Sequence, residues 1–227
     1  MAMKVVLLGS TGLLGKCLLR LLVQLEQVDE ICCLVKSEPS ALETGIYEGA
    51  RKIRYVLTDF EQIKNKDCEV RKEFNADAVV CCLGTSRKMA GSREKQRLVE
   101  MQIPLTCAAV ARGSGCGHFL VVSSMGANAG SPWFYNKVKG MMEEGLSMMM
   151  FPSLTIVRPA FVQRLFFKQS SLLSKLLVLH PELFPAHFRP VSPEIIAVHL
   201  ASSLLKPPKG TRIIYNRVLA TVPVDIK

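Results

Sequence analysis

Tyr135 and Lys139 stand four residues apart, and a serine pair, Ser123-Ser124, precedes them by about a dozen positions. Residues spaced in this way share one face of a helix. A phenol of pKa about 10 is a poor acid or base at neutral pH, and a nearby ammonium lowers it by favouring the phenolate. A serine hydroxyl at an adjacent strand end can orient a carbonyl or alcohol while the tyrosine moves a proton. Either serine of the pair, Ser123 or Ser124, could supply that hydroxyl. In a chain with 4 Tyr and 29 Lys and Arg the Tyr-x-x-x-Lys spacing alone also fits a tyrosine packed on a lysine stem, so its context decides.

That context begins at Gly9-Ser10-Thr11-Gly12-Leu13-Leu14-Gly15. The stretch lies between a short apolar run, Lys4 to Leu8, and the leucine-dense residues 13–25. Between a strand and a helix, glycines allow a tight turn and close approach of the backbone to a pyrophosphate, whose charge the helix amides and dipole stabilise. The spacing is G-x-x-G-x-x-G rather than the commoner G-x-G-x-x-G. Gly9, Ser10, Thr11, Gly12, Leu13 and Gly15 are therefore candidates to hold a dinucleotide. Lys36, ending the second apolar run, stands where an acid would meet the ribose 2′-hydroxyl; a lysine there attracts a 2′-phosphate instead. NADPH is the expected cofactor and NAD the less favoured one. Asp59 follows the third run and either faces the adenine or begins a helix with Phe60 and Glu61. Gly84 and Thr85 close the fourth run on the same edge.

The elements needed to position these residues are legible in the apolar runs. Strands are expected over 4–8, 30–36, 52–57, 76–83, 118–122, 154–157 and 212–215, each nearly continuous in apolar residues, as strands buried on both faces are. Helices are expected over 13–25, 93–112 and 133–149, the last with Ser131 as cap and Pro132 at its first position. A further helix opens at Ser192-Pro193-Glu194 and runs through Leu205. This alternation predicts an α/β fold with a Rossmann-like, doubly wound parallel sheet. Residues 160–191 break the pattern and predict a small C-terminal substrate or cap region inside a single domain spanning 1–227. Phe161, Phe166, Phe167 and Leu172 either line an apolar pocket there or belong to the core.

Composition narrows the function classes. A length of 227 residues with 49% hydrophobic content suits one large core. The net charge of +10 is dispersed, and no nucleic-acid-binding signature accompanies it. The densest cluster, Arg87, Lys88, Arg93, Lys95 and Arg97, fits an anionic ligand as well as a solvated helix start. Of the eight cysteines, Cys32-Cys33 and Cys81-Cys82 sit inside apolar runs and read as small hydrophobes. No metal site is expected. The opening MAMKVVLLGSTG lacks a signal-peptide pattern, and no apolar stretch reaches the roughly 18–20 residues that span a bilayer. These features predict a cytoplasmic chain with no membrane contact and a small-molecule substrate.

At the same residues the sequence resembles the atypical branch of the short-chain dehydrogenase/reductase superfamily. CCLGTSRKMAGS (81–92), HFLVVSSMGANAGSPWFYNKVKG (118–140) and TIVRPAFV (155–162) look like the bacterial NAD(P)-binding oxidoreductases related to the HIV Tat-interacting protein. The resemblance implies a Rossmann fold with NADPH and a phosphate site at Gly9, Thr11, Gly12 and Gly15. It also implies a basic residue at Lys36, a proton-transfer pair of Tyr135 and Lys139, and Ser124 as the serine that works with them, Ser123 being the alternative. Arg158-Pro159 matches the family's strand-end motif, after which the backbone approaches the nicotinamide, while Arg158 itself also reads as a strand-ending charge. Two functions fit: a reductase or dehydrogenase acting on a small carbonyl or alcohol, and a cofactor-sensing protein that acts through a protein partner.

Overall fold

Strand β1 (Met3–Leu8) enters the core directly, with Val5 to Leu8 buried. Its side chains alternate between two helical layers. Val6 and Leu8 join Cys32, Leu34, Val79, Cys81, Phe119, Val121, Leu154 and Ile156 on one face, and Val5 and Leu7 join Ile31, Cys33, Ala78, Val80, Leu120, Val157 and Ile214 on the other. Both faces are covered, which is why the strands read as continuous apolar runs rather than alternating ones. Neighbouring cysteines of Cys32-Cys33 therefore point to opposite faces.

The computed structural model describes residues 3–39, 51–162, 185 and 187–221. Among them β1, β2 (Val28–Val35), β3 (Ile53–Leu57), β4 (Ala78–Cys81), β5 (His118–Val122), β6 (Ser153–Arg158) and β9 (Gly210–Tyr215) form one parallel sheet in the order β3-β2-β1-β4-β5-β6-β9. Helix α1 (Leu13–Gln24) packs with α6 (Pro193–Leu205) on one face, and α4 (Ile103–Gly113) with α5 (Phe134–Met148) on the other. This is the Rossmann-like, doubly wound architecture expected. The strand order reverses between β1 and β4, and in such sheets the crevice beyond the strand ends at that point is where ligands bind.

Several boundaries differ from expectation. The fourth strand ends at Cys81, because Cys82 and Leu83 turn away beside Gly9. The expected helix over 93–112 is broken into α3 (Arg93–Arg97), a π-helical turn Leu98–Gln102, and α4. Pro104 gives the reason: it has no amide to donate to the Glu100 carbonyl, and its ring crowds that carbonyl, so the helix widens just before it. A short helix α2 (Arg87–Ala90) precedes α3, with Ser86 and Ser92 as their caps. Ser131 does not cap α5. Its Oγ accepts from the Trp133 amide at 3.2 Å, closing a turn, and the helix starts at Phe134. Ser192 does cap α6, accepting from the Ile195 amide at 3.3 Å.

Most of 160–191, including Phe166, Phe167 and Leu172, lies outside the described residues. Its two ends meet. Strands β7 (Phe161–Val162) and β8 (Pro190–Val191) pair, and buried Asn216, which opens α7 (Asn216–Thr221), accepts from the Ala160 amide at 2.7 Å and donates to the Arg189 carbonyl at 3.0 Å. No helix among the described residues is long and apolar enough to cross a membrane.

Candidate active site

The glycine turn is built by contacts that exclude side chains. Gly9 has φ +83°, and a Cβ there would lie 2.9 Å from the Cys82 carbonyl carbon. A Cβ on Gly15 would lie 2.0 Å from the Gly9 carbonyl oxygen. Gly12 is different: it is exposed, has φ −73° and ψ 166°, and its added Cβ would meet only the Gly9 oxygen, at 3.3 Å. Gly12 is also the N-cap of α1 and supplies no side-chain cap. Gly9 and Gly15 thus serve the turn itself, while Gly12 leaves open space at a helix N-terminus, where a phosphate is favoured. Thr11 is exposed, Leu13 half-buried and Ser10 buried.

Lys36 and Ser37 are exposed just past the carboxyl end of β2, on the same sheet edge. Asp59 has a local task, its Oδ1 accepting from the Glu61 amide at 3.0 Å. No regular helix opens there; a single 3-10 turn, Gln62–Lys64, follows. Gly84 is exposed and the Thr85 amide donates to Glu100 Oε1 at 2.6 Å.

Across the crevice, α5 brings Tyr135 and Lys139 to the end of β5. The loop between them is clamped: the Asn128 amide donates to the Asn136 carbonyl at 3.0 Å, and a Cβ on Gly140 would lie 2.1 Å from the Asn128 carbonyl carbon. Only glycine lets α5 lie this close. Ser124 is half-buried, and its Oγ donates to the Met125 carbonyl at 3.3 Å. Ser123 is buried and Ser124 is the more accessible of the two.

Lys139 is 2% exposed, and its Nζ donates to the Val122 carbonyl at 3.0 Å. It also lies 2.6 Å from Glu100 Oε2, in an ion pair both of whose members are buried. Burial pulls the ammonium pKa down, but the Glu100 carboxylate, seconded by Tyr135, outweighs it and the net direction is up. Tyr135 moves up as well. Burial dominates, the nearby Glu100 charge adds to it, and Lys139 and the Ser124 hydrogen bond oppose. The expectation that Lys139 brings the phenol below its ordinary value thus reverses in this arrangement, because burial outweighs the lysine and the Glu100 charge adds to burial.

Glu100 was not among the residues anticipated from sequence. Its signal was the carboxylate four positions before Pro104, within the apolar stretch LVEMQIP. Arg158 closes β6 as a charge at the strand end. It pairs with Glu143 on α5, stacks over Tyr215 with its guanidinium carbon 5.6 Å from the ring centroid, and lines a cleft of about 580 Å³ with Asn128, Ser147 and Ile213. No cluster of three or more potential metal ligands exists among the described residues.

A glycine cradle at the sheet's reversal point, with Ser124, Tyr135 and Lys139 on the same edge, defines a Rossmann-type protein of the short-chain dehydrogenase/reductase class. The solved structures agree in fold. The UDP-Glc/GlcNAc 4-epimerase of Campylobacter jejuni superposes with TM-score 0.67 at 16% identity, over 96% of this chain and 82% of that one. A short-chain dehydrogenase/reductase from Saccharomyces cerevisiae gives 0.66 at 13%, over 94% and 96%. Among sequence relatives, the Meyerozyma guilliermondii protein FMP52, mitochondrial, is 29% identical over 220 residues, 92% of this chain and 88% of its own length. Rat HTATIP2 is 30% identical over 156 residues, 68% of this chain and 61% of its own. The chain belongs to the atypical short-chain dehydrogenase/reductase superfamily, in the group related to the HIV Tat-interacting protein. No family model matches it.

The cytoplasmic location expected from sequence is corrected by these relatives, since the fungal ones are named as mitochondrial proteins. None of the eight cysteines is in a disulfide, which does not single out one compartment.

Proposed function

We propose that this chain is an NADPH-dependent oxidoreductase acting on a small carbonyl or alcohol. The observation that carries the reading is the convergence of Ser124, Tyr135 and Lys139 on the sheet edge that also bears the glycine turn. The open face of Gly12 fits a pyrophosphate, and exposed Lys36 at the end of β2 fits a ribose 2′-phosphate. Arg87 and Lys88, exposed on α2, offer further positive charge. A nicotinamide cofactor, when bound, supplies or accepts the hydride.

The chain's own groups then do the following. Gly9, Ser10, Thr11, Gly12, Leu13 and Gly15 shape the phosphate site, and Gly84 and Thr85 form the opposite wall of the crevice. Asp59 lies towards the adenosine end. Lys139, fixed by Val122 and Glu100, keeps an ammonium beside Tyr135. The Ser124 hydroxyl orients the substrate oxygen, and Tyr135 passes its phenolic proton to that oxygen in reduction or takes it back in oxidation. We read 1–227 as one domain. The pairing of β7 with β8 and the bridging by Asn216 support this, because residues 160–191 leave and return at the carboxyl end of β6, where a substrate cap would lie. We place the protein in mitochondria with its fungal relatives.

Turnover of a broad carbonyl panel with NADPH tests the reading, with Tyr135→Phe as control. Reduction of at least one class of carbonyl by the wild type and not by the variant is expected. Tight NADPH binding with no turnover across the panel would instead support a cofactor-sensing protein that acts through a partner.

A further inference from the structure

We propose that Arg93 determines the substrate class of this site: its guanidinium binds an anionic group on the carbonyl substrate, so that carbonyl compounds bearing a carboxylate or phosphate are preferred over neutral ones. The inference rests on the reductase reading above and deepens it. It starts from a cation seated on the residue next to Tyr135.

The Arg93 guanidinium carbon lies 5.3 Å from the centroid of the Phe134 ring, and Phe134 directly precedes Tyr135 on α5. Local structure holds the segment that carries it. Ser86 Oγ accepts from the Met89 amide at 3.2 Å and Ser92 Oγ from the Lys95 amide at 3.1 Å, which start α2 and α3. Between the two helices Gly91 has φ +79°, a turn that glycine makes without strain. Buried Gln96 donates to the Thr85 carbonyl at 3.5 Å, tying α3 to the loop that follows β4, and the turn that continues α3 packs on α5. Arg93 is thus carried between the loop after β4 and the start of the helix that bears Tyr135.

Arg93 is exposed, and among the described residues its guanidinium makes no hydrogen bond or ion pair. An aromatic ring holds a cation without supplying a counter-ion, so the N–H donors stay available to a carboxylate or phosphate, which a guanidinium takes in a two-pronged pair. Arg87, Lys88, Lys95 and Arg97 add to the field from the same two helices, against the single acid Glu94. Glu100 does not neutralise it, being paired with Lys139 at 2.6 Å. Nor is this charge placed for a ribose 2′-phosphate. The strand that ends at Lys36, β2, and the strand that leads to α5, β5, are separated in the sheet by β1 and β4. Lys36 marks the end of the crevice assigned to adenosine, and Arg93, seated on Phe134, marks the end where the proton moves.

The test uses matched methyl ketones of increasing chain length that end in a carboxylate, a phosphate or a neutral methyl ester, titrated into the NADP⁺-saturated protein, where no hydride can be transferred to them. Trp133, the single tryptophan, is 73% exposed at the N-cap of α5 and reports binding by its fluorescence, with calorimetry as the second readout. At the best chain length the carboxylate or the phosphate should bind about tenfold or more tightly than its ester, and the preference should shrink as salt rises. Arg93→Gln should lose most of that preference and Arg93→Lys should keep part of it. The NADPH dissociation constant of Arg93→Gln should stay within about twofold of wild type. Equal binding of charged and neutral ketones, measurable binding of neither, or a preference that survives Arg93→Gln would overturn the proposal. A fall of about tenfold in the NADPH affinity of Arg93→Gln would assign the charge to the cofactor and overturn it equally. Binding is read without turnover, so failure to reduce any ketone with NADPH would defeat the reductase reading, while the charge preference is decided by the titrations alone.

Discussion

Replacing Gly12 by serine should move stability and cofactor affinity in opposite directions. Gly12 occupies the N-cap of α1 with an extended backbone that any L-residue adopts, and the cap lacks a side-chain hydrogen bond. Serine is a better cap than glycine by a few tenths of a kcal/mol. Against this stands one close contact of the new Cβ, 3.3 Å from the Gly9 carbonyl oxygen. The two effects leave the folded protein within about 0.5 kcal/mol of wild type, and possession of a cap hydroxyl favours the stable side. The same hydroxymethyl group fills the space in which a pyrophosphate would approach the helix amides, so NADPH affinity should fall at least tenfold, about 1.4 kcal/mol. Gly15→Ala is the contrast. Its Cβ would lie 2.0 Å from backbone oxygen, a clash that no rotamer relieves, and it should cost about 3 kcal/mol of stability. Thermal melts without cofactor and calorimetric titration with NADPH separate the two quantities. Gly12→Ser with wild-type affinity, or with stability lost as in Gly15→Ala, would refute the division of labour among the glycines.

Tyr135→Phe should remove turnover on an identified carbonyl substrate by at least a hundredfold while leaving the NADPH dissociation constant within about twofold, since only one hydroxyl of the proton path is lost; steady-state kinetics and calorimetry check it. Lys36→Asp should lower the ratio of NADPH to NADH affinity by about tenfold or more, from the loss of one exposed charge-assisted contact and the repulsion that replaces it. The ratio is read at fixed salt, and an unchanged value removes Lys36 from the site. His118, buried in β5 with Nε2 3.0 Å from Thr155 Oγ1, is pulled by burial down to about 4. The unfolded chain therefore binds this proton more readily than the folded one between about pH 6.5 and 4, and stability should fall as pH drops through that window, by at most about 3 kcal/mol. Denaturant titrations of wild type and His118→Gln across it should show a steeper acid loss in the wild type.

What the sequence determined by itself were the features set by local and nearest-neighbour physics. The apolar runs placed the parallel strands because a sheet buried on both faces tolerates little else. Ser192-Pro193 marked the start of α6 because a cap and a fixed φ act within one turn. The glycine spacing marked the strand-to-helix turn, although not which glycine faces a ligand. The rest depended on contacts between segments far apart in the chain. Ser131-Pro132 reads as a helix start, yet the close seating of Gly140 on the 128–129 backbone fixes where α5 lies, and the helix begins at Phe134. Arg158 reads as a charge at a strand end, and only the fold supplies the buried carboxylate on α5 that pairs with it. Most of all, the acidity of Tyr135 was inferred from a lysine one turn away on the same helix. Only the tertiary structure places Glu100, from a turn more than thirty residues upstream, against that lysine. Helical periodicity decides which side chains share a face, but a buried charge takes its energy from everything packed around it, and those neighbours are chosen by the fold.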